Sequence, residues 1–518
     1  MTRERGITRS ASVVSAATAL SRVLGFVRDA AVAYVFGAGM HSDAFFVAFR
    51  ISNLLRRLVG EGAMTSSFIP IFTEEMTLKG KESAKALSSS VFTLFFFILA
   101  ALTVLGVLFS GELVRLMTPG FTADAEKFSL TVSLTRLMFP YMVFIGLMAI
   151  AMGVLNSFKH FALPALAPVA LNIAIIFSIF ALTPVLKTPV HALAYGVLFG
   201  GFLQFAIQLP VLKTHGMLPL PSFSFSNPAI KKIFLLMGPA AFGVGVYQLN
   251  ILVTTWFASR LPEGAVSYLY YSGRVMELPI GVFSVSVATA VLPSLSLHAV
   301  REEWPEFRDS LSFAVRIVNF VTIPATMGLL VMSYPITDIL FRRGEFGDAA
   351  AAGTSAALIY YAVGLVPVSA SRLLSSVFYS LKDTVTPVWS GAIAFVFNII
   401  FCLALIGPLS HGGLALATSL SAVVNVAVLF LMLRMRHGRF GGRMILSSAL
   451  KTTLSSAITG VIIYSIVLYS GYSGLSFPMR AAFVVVTVFL AIAIFLALAS
   501  LFKVSELSFL KDFFRRAR

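Results

Sequence analysis

The chain has 518 residues, of which 58% are hydrophobic and only 12% are charged, with 48 Phe among them. A soluble domain carries about 25% charged side chains. This composition therefore excludes a disordered chain, a disulfide-stapled module and an ordinary soluble enzyme, and leaves a polytopic α-helical membrane protein. The apolar runs are continuous rather than alternating, which excludes a β-barrel. The net charge of +17 fits Lys and Arg collected in cytoplasmic loops rather than a nucleic-acid surface.

Apolar windows predict about fourteen transmembrane helices. Their centres fall near Ala19, Leu54, Leu99, Phe144, Ile173, Gly200, Gly243, Val282, Thr322, Leu365, Phe395, Ser421, Gly460 and Phe489. The first follows a basic leader with Arg3, Arg5 and Arg9 and has no small-residue cleavage site, so it reads as a retained helix. It contains Ser21-Arg22-Val-Leu-Gly25-Phe-Val-Arg28-Asp29, in which Arg22 and Asp29 share a helical face. In the second, Asn53, Arg56 and Gly60 fall on one face, and Gly60-Glu61-Gly62 is a weak point at which a helix bends. The seventh, Leu235 to Phe257, contains Gln248 and Asn250 but no carboxylate. The eighth carries Tyr270, Arg274, Glu277 and Gly281 along one stripe. Arg372 falls in the tenth, and the lone Cys402 in an apolar run offers neither a disulfide nor a thiolate metal site. The scattered histidines, His191 and His411 among them, read as solvated residues of short outer loops.

Alternate loops differ in charge. One side holds the leader, Lys79, Lys81, Lys85, Lys159, Lys213, Lys231, Lys232, the cluster from Arg434 to Arg443 and the tail to Arg518. The other holds Arg115, Lys127, Lys187, Arg260, Arg342, Arg343 and Arg480. The positive-inside rule then places both termini in the cytoplasm.

A repeat recurs at a spacing of 222 to 224: Arg50 with Arg274, Pro70 with Pro293, Gly120 with Gly344, Ser157 with Ser380, Lys159 with Lys382 and His215 with His437. The expected division is an N-lobe of six spans over residues 1–222 and a C-lobe of six over 223–440. Residues 441–518 carry two extra spans and a basic tail. Six is even, so the second copy keeps the orientation of the first, giving two pseudo-symmetric lobes around a central cationic cavity.

Arg22, Arg28, Arg50, Arg56, Arg57, Arg274, Arg316 and Arg372 all fall inside predicted spans. A cation at the bilayer centre costs about 2.5–3.5 kcal/mol on insertion scales, so each must meet protein, water or a ligand. Arg50, Arg136 and Arg316 read as snorkelling or paired. The intramembrane acids Asp29, Asp43, Glu61 and Glu277 each have an Arg nearby in sequence, and a cationic surplus remains after pairing. Arg suits phosphate, because its planar fork makes two parallel hydrogen bonds and sheds water readily. The substrate expected is therefore anionic and phosphate-bearing. No Gly-rich phosphate loop, nucleophile–base pair or metal-ligand spacing is present in the sequence, so a transporter is expected rather than an enzyme.

At these residues the sequence resembles the MurJ (MviN) family of lipid II flippases, within the multidrug/oligosaccharidyl-lipid/polysaccharide superfamily. The likeness rests on Ser21 to Asp29, Phe36-Gly-Ala-Gly39, Asp43 to Phe49, Asn53-Leu-Leu-Arg-Arg57, Glu61-Gly-Ala63, Phe68-Ile-Pro70 and Thr118-Pro-Gly-Phe121. In the second half Tyr270 to Glu277, Leu292-Pro-Ser-Leu295 and Asp383-Thr-Val-Thr-Pro387 fit the same family. The resemblance implies a bacterial inner-membrane protein that moves undecaprenyl-diphosphate-linked muropeptide from the cytoplasmic to the periplasmic leaflet by alternating access. It implies substrate-binding arginines at Arg22, Arg28, Arg56 and Arg274, with Arg372 and Asn53 added, and supporting acids at Asp29, Asp43, Glu61 and Glu277. It implies that the two extra spans hold the lipid tail. Expected partners are lipid II and membrane lipids, with cell-wall synthesis and division proteins as candidates and no nucleic acid. No cofactor or metal is expected. Sodium or proton coupling is left unassigned, since the seventh span lacks the acid that some relatives use. The alternatives are a flippase for another polyprenyl-diphosphate glycan such as O-antigen units, a multidrug antiporter, and a membrane glycosyltransferase acting on the same lipid.

Overall fold

The structure is a computed structural model that describes residues 2–58, 64–281 and 285–507. Every regular element among them is helical. In chain order the first eleven are α1 (Thr2–Phe36), α2 (Met40–Leu58), α3 (Met64–Lys79), α4 (Lys81–Leu108), α5 (Ser110–Met117), α6 (Ala125–Met138), α7 (Tyr141–Ser157), α8 (Ala162–Leu182), α9 (His191–Ala206), α10 (Leu209–Thr214) and α11 (Pro228–Ala258). They are followed by α12 (Ala265–Pro279), α13 (Val285–Val300), α14 (Trp304–Val331), α15 (Ser333–Phe341), α16 (Asp348–Val363), α17 (Leu365–Ser380), α18 (Val385–His437), α19 (Gly442–Tyr469) and α20 (Phe477–Leu501). The chain divides into two compact units, residues 1–266 with 343–346, and residues 267–342 with 347–518. The helix α11 packs on α2, α3 and α5 of the first unit. Packing and sequence repeat are thus different divisions of the same chain.

Among the described residues eight helices are long and apolar enough to cross a membrane, or nine if α16 and α17, bent by 46°, form one span. The expected fourteen are not all recovered by this measure, for two physical reasons. The charge-bearing α1 and α2 are less apolar than the helices recovered, and α12 is only 15 residues long. In addition α18 counts once, although its 53 residues are broken at Ser410 (φ 51°, ψ −132°), just after Pro408. A Cβ on Gly413 would stand 2.2 Å from the carbonyl oxygen of Leu405. Residues eight apart along a straight helix lie about 12 Å apart, so the chain reverses at this break and α18 supplies two crossings.

In the first unit α8 packs against both α1 and α9. Gly196 and Gly200, four apart, let the two backbones approach: a Cβ on Gly196 would lie 2.9 Å from the Cα of Ile175, and one on Gly200 3.1 Å from that of Leu171. The core of α3, α4, α7 and α11 is filled by Phe68, Phe72, Val91, Phe95, Ile150 and Ile233, with the Phe68 and Phe72 rings stacked at 5.3 Å. In the second unit α14 packs on α13, α17 and α19, while α18 packs on α16 and α17. Phe307, Leu374, Phe378 and Leu429 fill that core.

Local geometry recurs at the repeat spacing. The break between α4 and α5 falls at Phe109 (φ −94°, ψ 17°), and that between α14 and α15 at Met332 (φ −103°, ψ 16°). After α7, Lys159 takes φ 61°, and after α17, Lys382 takes φ 60°. Each left-handed lysine ends its helix in the same way. His160 N–H donates to Leu155 O at 2.9 Å, and Asp383 N–H donates to Phe378 O at 2.9 Å.

Candidate functional site

In the first unit the expected site residues cluster on α1 and α2. Arg28 is fixed from three sides. Its Nε and Nη2 donate to Asp29 Oδ1 at 3.0 and 2.6 Å, and its Nη1 donates to Asn172 Oδ1 on α8 at 3.2 Å. Asn172 Nδ2 in turn donates to the carbonyl of Ser21 at 3.1 Å, tying the guanidinium to the α1 backbone about two turns earlier. The Arg28 side chain is 12% exposed and that of Asp29 1%. A buried pair of this kind is set by geometry, and removal of one partner strands the other. Asp29 thus pairs with Arg28 rather than with Arg22, although Arg22 shares its helical face, because the long Arg28 side chain curls back to its neighbour. Arg22 is exposed, and among the described residues no carboxylate lies within 4 Å of it.

Asp43 occupies a second centre in the same unit. It is buried, and its Oδ2 accepts from Lys127 Nζ at 2.8 Å and from Gly264 N–H at 2.9 Å, just ahead of α12. The carboxylate therefore sits where a helix N-terminus favours negative charge. The charge alternation places Lys127 in an outer loop. Instead it lies buried in the first turn of α6, its ammonium 4.3 Å from the centre of the Phe121 ring. Nearby, Arg50 donates to the hydroxyl of Thr255. Asn53 is half-buried on α2. Arg56 lies in the last turns of α2, but its side chain falls outside the described residues, as does Glu61 altogether.

In the second unit Arg274 Nη1 donates to Glu277 Oε2 at 2.7 Å, an i,i+3 pair on α12. Arg372 is exposed on α17, and among the described residues it has no carboxylate within 4 Å. Arg22 and Arg372 are thus cationic groups left over after pairing, while Arg28 and Arg274 are held in place by their acids.

Sequence reasoning missed four polar residues. Asn172 is a lone amide in an apolar run, and that isolation was its only signal. Asp338 on α15 is buried. Its Oδ1 accepts from Arg342 Nη1 at 2.9 Å and from Arg480 Nη1 at 3.0 Å, and its Oδ2 accepts from the Tyr472 hydroxyl at 2.7 Å. Glu506 is buried too, accepting from Arg316 Nη1 at 2.8 Å and from the Ser448 hydroxyl at 2.9 Å. Lys127 is the fourth. His411 is not solvated either. Its Nε2–H donates to Gly353 O at 2.9 Å and its ring lies 5.2 Å from that of Tyr268.

On the α9–α10 side His215 is stacked on Phe158 at 4.6 Å and meets His160 edge-on at 4.8 Å. Burial first, then the neighbouring His160 and Lys81 charges, hold its imidazole below the ordinary value.

The family model "Lipid II flippase MurJ" matches residues 32–505. A lipid II flippase MurJ from Burkholderia cenocepacia is 39% identical over 432 residues, covering 83% of this chain and 84% of the relative. A probable lipid II flippase MurJ from Bdellovibrio bacteriovorus is 34% identical and covers 93% of this chain and 92% of its own. Among solved structures, a lipid II flippase MurJ in an inward closed conformation superposes with a TM-score of 0.80 at 29% identity, over 94% of this chain and 98% of the other. An inward-facing multidrug MATE transporter shares the fold at a TM-score of 0.66 and 19% identity, covering 80% of this chain and 94% of its own.

Proposed function

Because this chain belongs to the lipid II flippase MurJ family, we propose that it carries lipid II, the undecaprenyl-diphosphate-linked peptidoglycan precursor, across the bacterial inner membrane towards the periplasm. The observation that carries this reading is the family match over residues 32–505, with relatives alike over most of both chains. The protein is a multi-pass membrane transporter and not an enzyme. In the proposed cycle the two halves alternate access. Arg22, Arg28, Arg56 and Arg274 take the diphosphate, Arg372 and Asn53 assist, and Asp29, Asp43, Glu61 and Glu277 hold the arginines in position. The bracing of Arg28 by Asp29 and Asn172, and of Arg274 by Glu277, supports this division of labour. A guanidinium already oriented loses little freedom when it meets a phosphate.

Both termini are placed in the cytoplasm by the charge bias of the loops. Export of negative charge from a cell that is negative inside gains about 2.3 kcal/mol per charge per 100 mV. With roughly two diphosphate charges the potential alone suffices for net movement. The cycle uses no cofactor, and sodium or proton coupling is decided by exchanging the ions across the vesicle. Cell-wall synthesis and division proteins are the proposed neighbours in the membrane.

The test is a reconstituted translocation assay with defined lipid-linked precursors, with and without an imposed potential. The wild type moves lipid II and moves it faster with the inside negative. Arg28→Ala and Arg274→Ala lose transport while reaching the membrane in near-normal amount, and Arg515→Ala, in the basic tail, is silent. Equal losses from all three variants, or movement of a different diphosphate-linked glycan in preference to lipid II, overturn the proposal.

A further inference from the structure

The first unit bears a polar-to-apolar groove, distant in sequence from α1 and α2. Its polar end, about 730 Å³, is lined by Ser129, Ser133 and Arg136 of α6 and by His191 and Tyr195 of α9. Its apolar end, about 530 Å³, is lined by Phe144 of α7, Phe177 of α8, and Tyr195, Phe199 and Phe202 of α9. Tyr195 borders both, so the two volumes adjoin. Each is of the size that accommodates a small ligand or part of a larger one.

The polar end is organised around a cation. Arg136 is exposed and donates its Nε to the Ser110 hydroxyl at 2.8 Å, and among the described residues no carboxylate lies within 4 Å of it. The nearby Arg115, whose guanidinium is 5.9 Å from the Phe128 ring centre, is paired with Glu112 at 2.8 Å, so that pair adds no net charge. His191 Nε2 meets the Ser133 hydroxyl at 2.9 Å while its Nδ1 faces Thr188 O at 3.3 Å. With the proton on Nδ1, Nε2 accepts from the Ser133 hydroxyl. One uncompensated guanidinium thus stands beside hydroxyls at the end of an aromatic trough that faces away from the unit's core, at the ends of α6 and α9 where a membrane interface belongs.

We propose that this groove holds one glycerophospholipid with a monoanionic headgroup. Its phosphodiester lies on Arg136, and one acyl chain lies along Phe144, Phe199 and Phe202. A single phosphate matches the single unpaired guanidinium. A zwitterionic headgroup would bring an ammonium to a place with no free carboxylate. On the orientation proposed above this lipid sits in the periplasmic leaflet, apart from the arginines assigned to the transported diphosphate.

The experiment is native mass spectrometry of the full-length protein in detergent, offered equal amounts of phosphatidylglycerol and phosphatidylcholine, with inorganic phosphate as a separate competitor. One phosphatidylglycerol is retained in preference to phosphatidylcholine. Arg136→Gln lowers that retention about fivefold, the worth of one interfacial cation. Arg136→Lys keeps part of it, and the paired change Phe199→Ala with Phe202→Ala lowers retention of both lipids. Thermal midpoints measured alongside show that each variant folds. Equal retention of the two lipids, undiminished retention by Arg136→Gln, or displacement by inorganic phosphate alone overturns the proposal. The lipid II translocation rate of Arg136→Gln separates this site from the transport site: it persists if the groove is an accessory lipid seat, and its abolition merges the two and overturns the distinction.

Discussion

Asn172 decides where the Arg28 guanidinium points. Its amide joins the Nη1 of Arg28 to the carbonyl of Ser21. Asn172→Leu leaves both without this partner, at a cost of about 1–3 kcal/mol. The expected result is a translocation rate about tenfold lower with the folded protein still recovered from the membrane, read in the vesicle assay. His215 gives a second prediction at this scale. Its folded value lies below the free value of 6.5, so the unfolded chain takes up the proton first. Its contribution to stability is therefore complete above about pH 6.5 and is lost as pH falls through and below that point. Thermal midpoints measured from pH 7.5 to pH 5 should fall for the wild type and fall less for His215→Phe. What was legible at this scale was the arginine pattern, since Arg22, Arg28 and Arg274 stand out as charges in apolar windows. Their partners were harder to read. Asp29 and Glu277 lie within a turn of an arginine, but Lys127 and Asn172 reach their acids and cations only after α6 and α8 have packed against α2 and α1.

Helices carry the next layer of information. The Gly196 and Gly200 pair seats α9 against α8 at backbone distance, and a larger residue there pushes the helices apart. Gly200→Val is expected to lower stability by about 1–3 kcal/mol, seen as a drop in the unfolding midpoint in detergent. The approximate centres of the apolar helices were readable because continuous apolar runs mark them. The break at Ser410 was announced by Gly407-Pro408, and separate spans centred near Phe395 and Ser421 anticipate it. The paired left-handed lysines were not announced. Lysine has no special tendency for that conformation, and only the recurrence of the same helix ending at Lys159 and Lys382 shows that position in the repeat, rather than residue type, sets the backbone. Charge content worked against the span count even as it marked the candidate site: α1 and α2 are less apolar because arginines interrupt their runs.

At the scale of the whole molecule, stability depends on acids that the sequence hid. Asp338 and Glu506 are each buried, and each gathers groups from distant parts of the second unit. Asp338→Ala strands Arg480, leaves Arg342 with Asp348 alone and removes the carboxylate partner of Tyr472. A loss of about 3–5 kcal/mol is expected for a broken buried pair, together with faster proteolytic cleavage in the 470–476 connection. The duplicated architecture was visible in the repeat at 222 to 224 residues. The division of the packed units at residue 266 was not, because α11, which falls in the expected C-lobe, packs on α2 and α3.

The final hairpin, α19 with α20, is riveted at both of its extremities. One rivet is Arg480 with Tyr472 on Asp338, beside the turn between the two helices. The other is Glu506 on Arg316 and Ser448, past the end of α20. A beam pinned at two ends cannot pivot about either. Any hydrocarbon chain resting along that hairpin therefore rides with the second unit as cargo on a fixed rail, and a probe fixed to Tyr464 should keep a constant separation from one on α14 through every stage of the transport cycle.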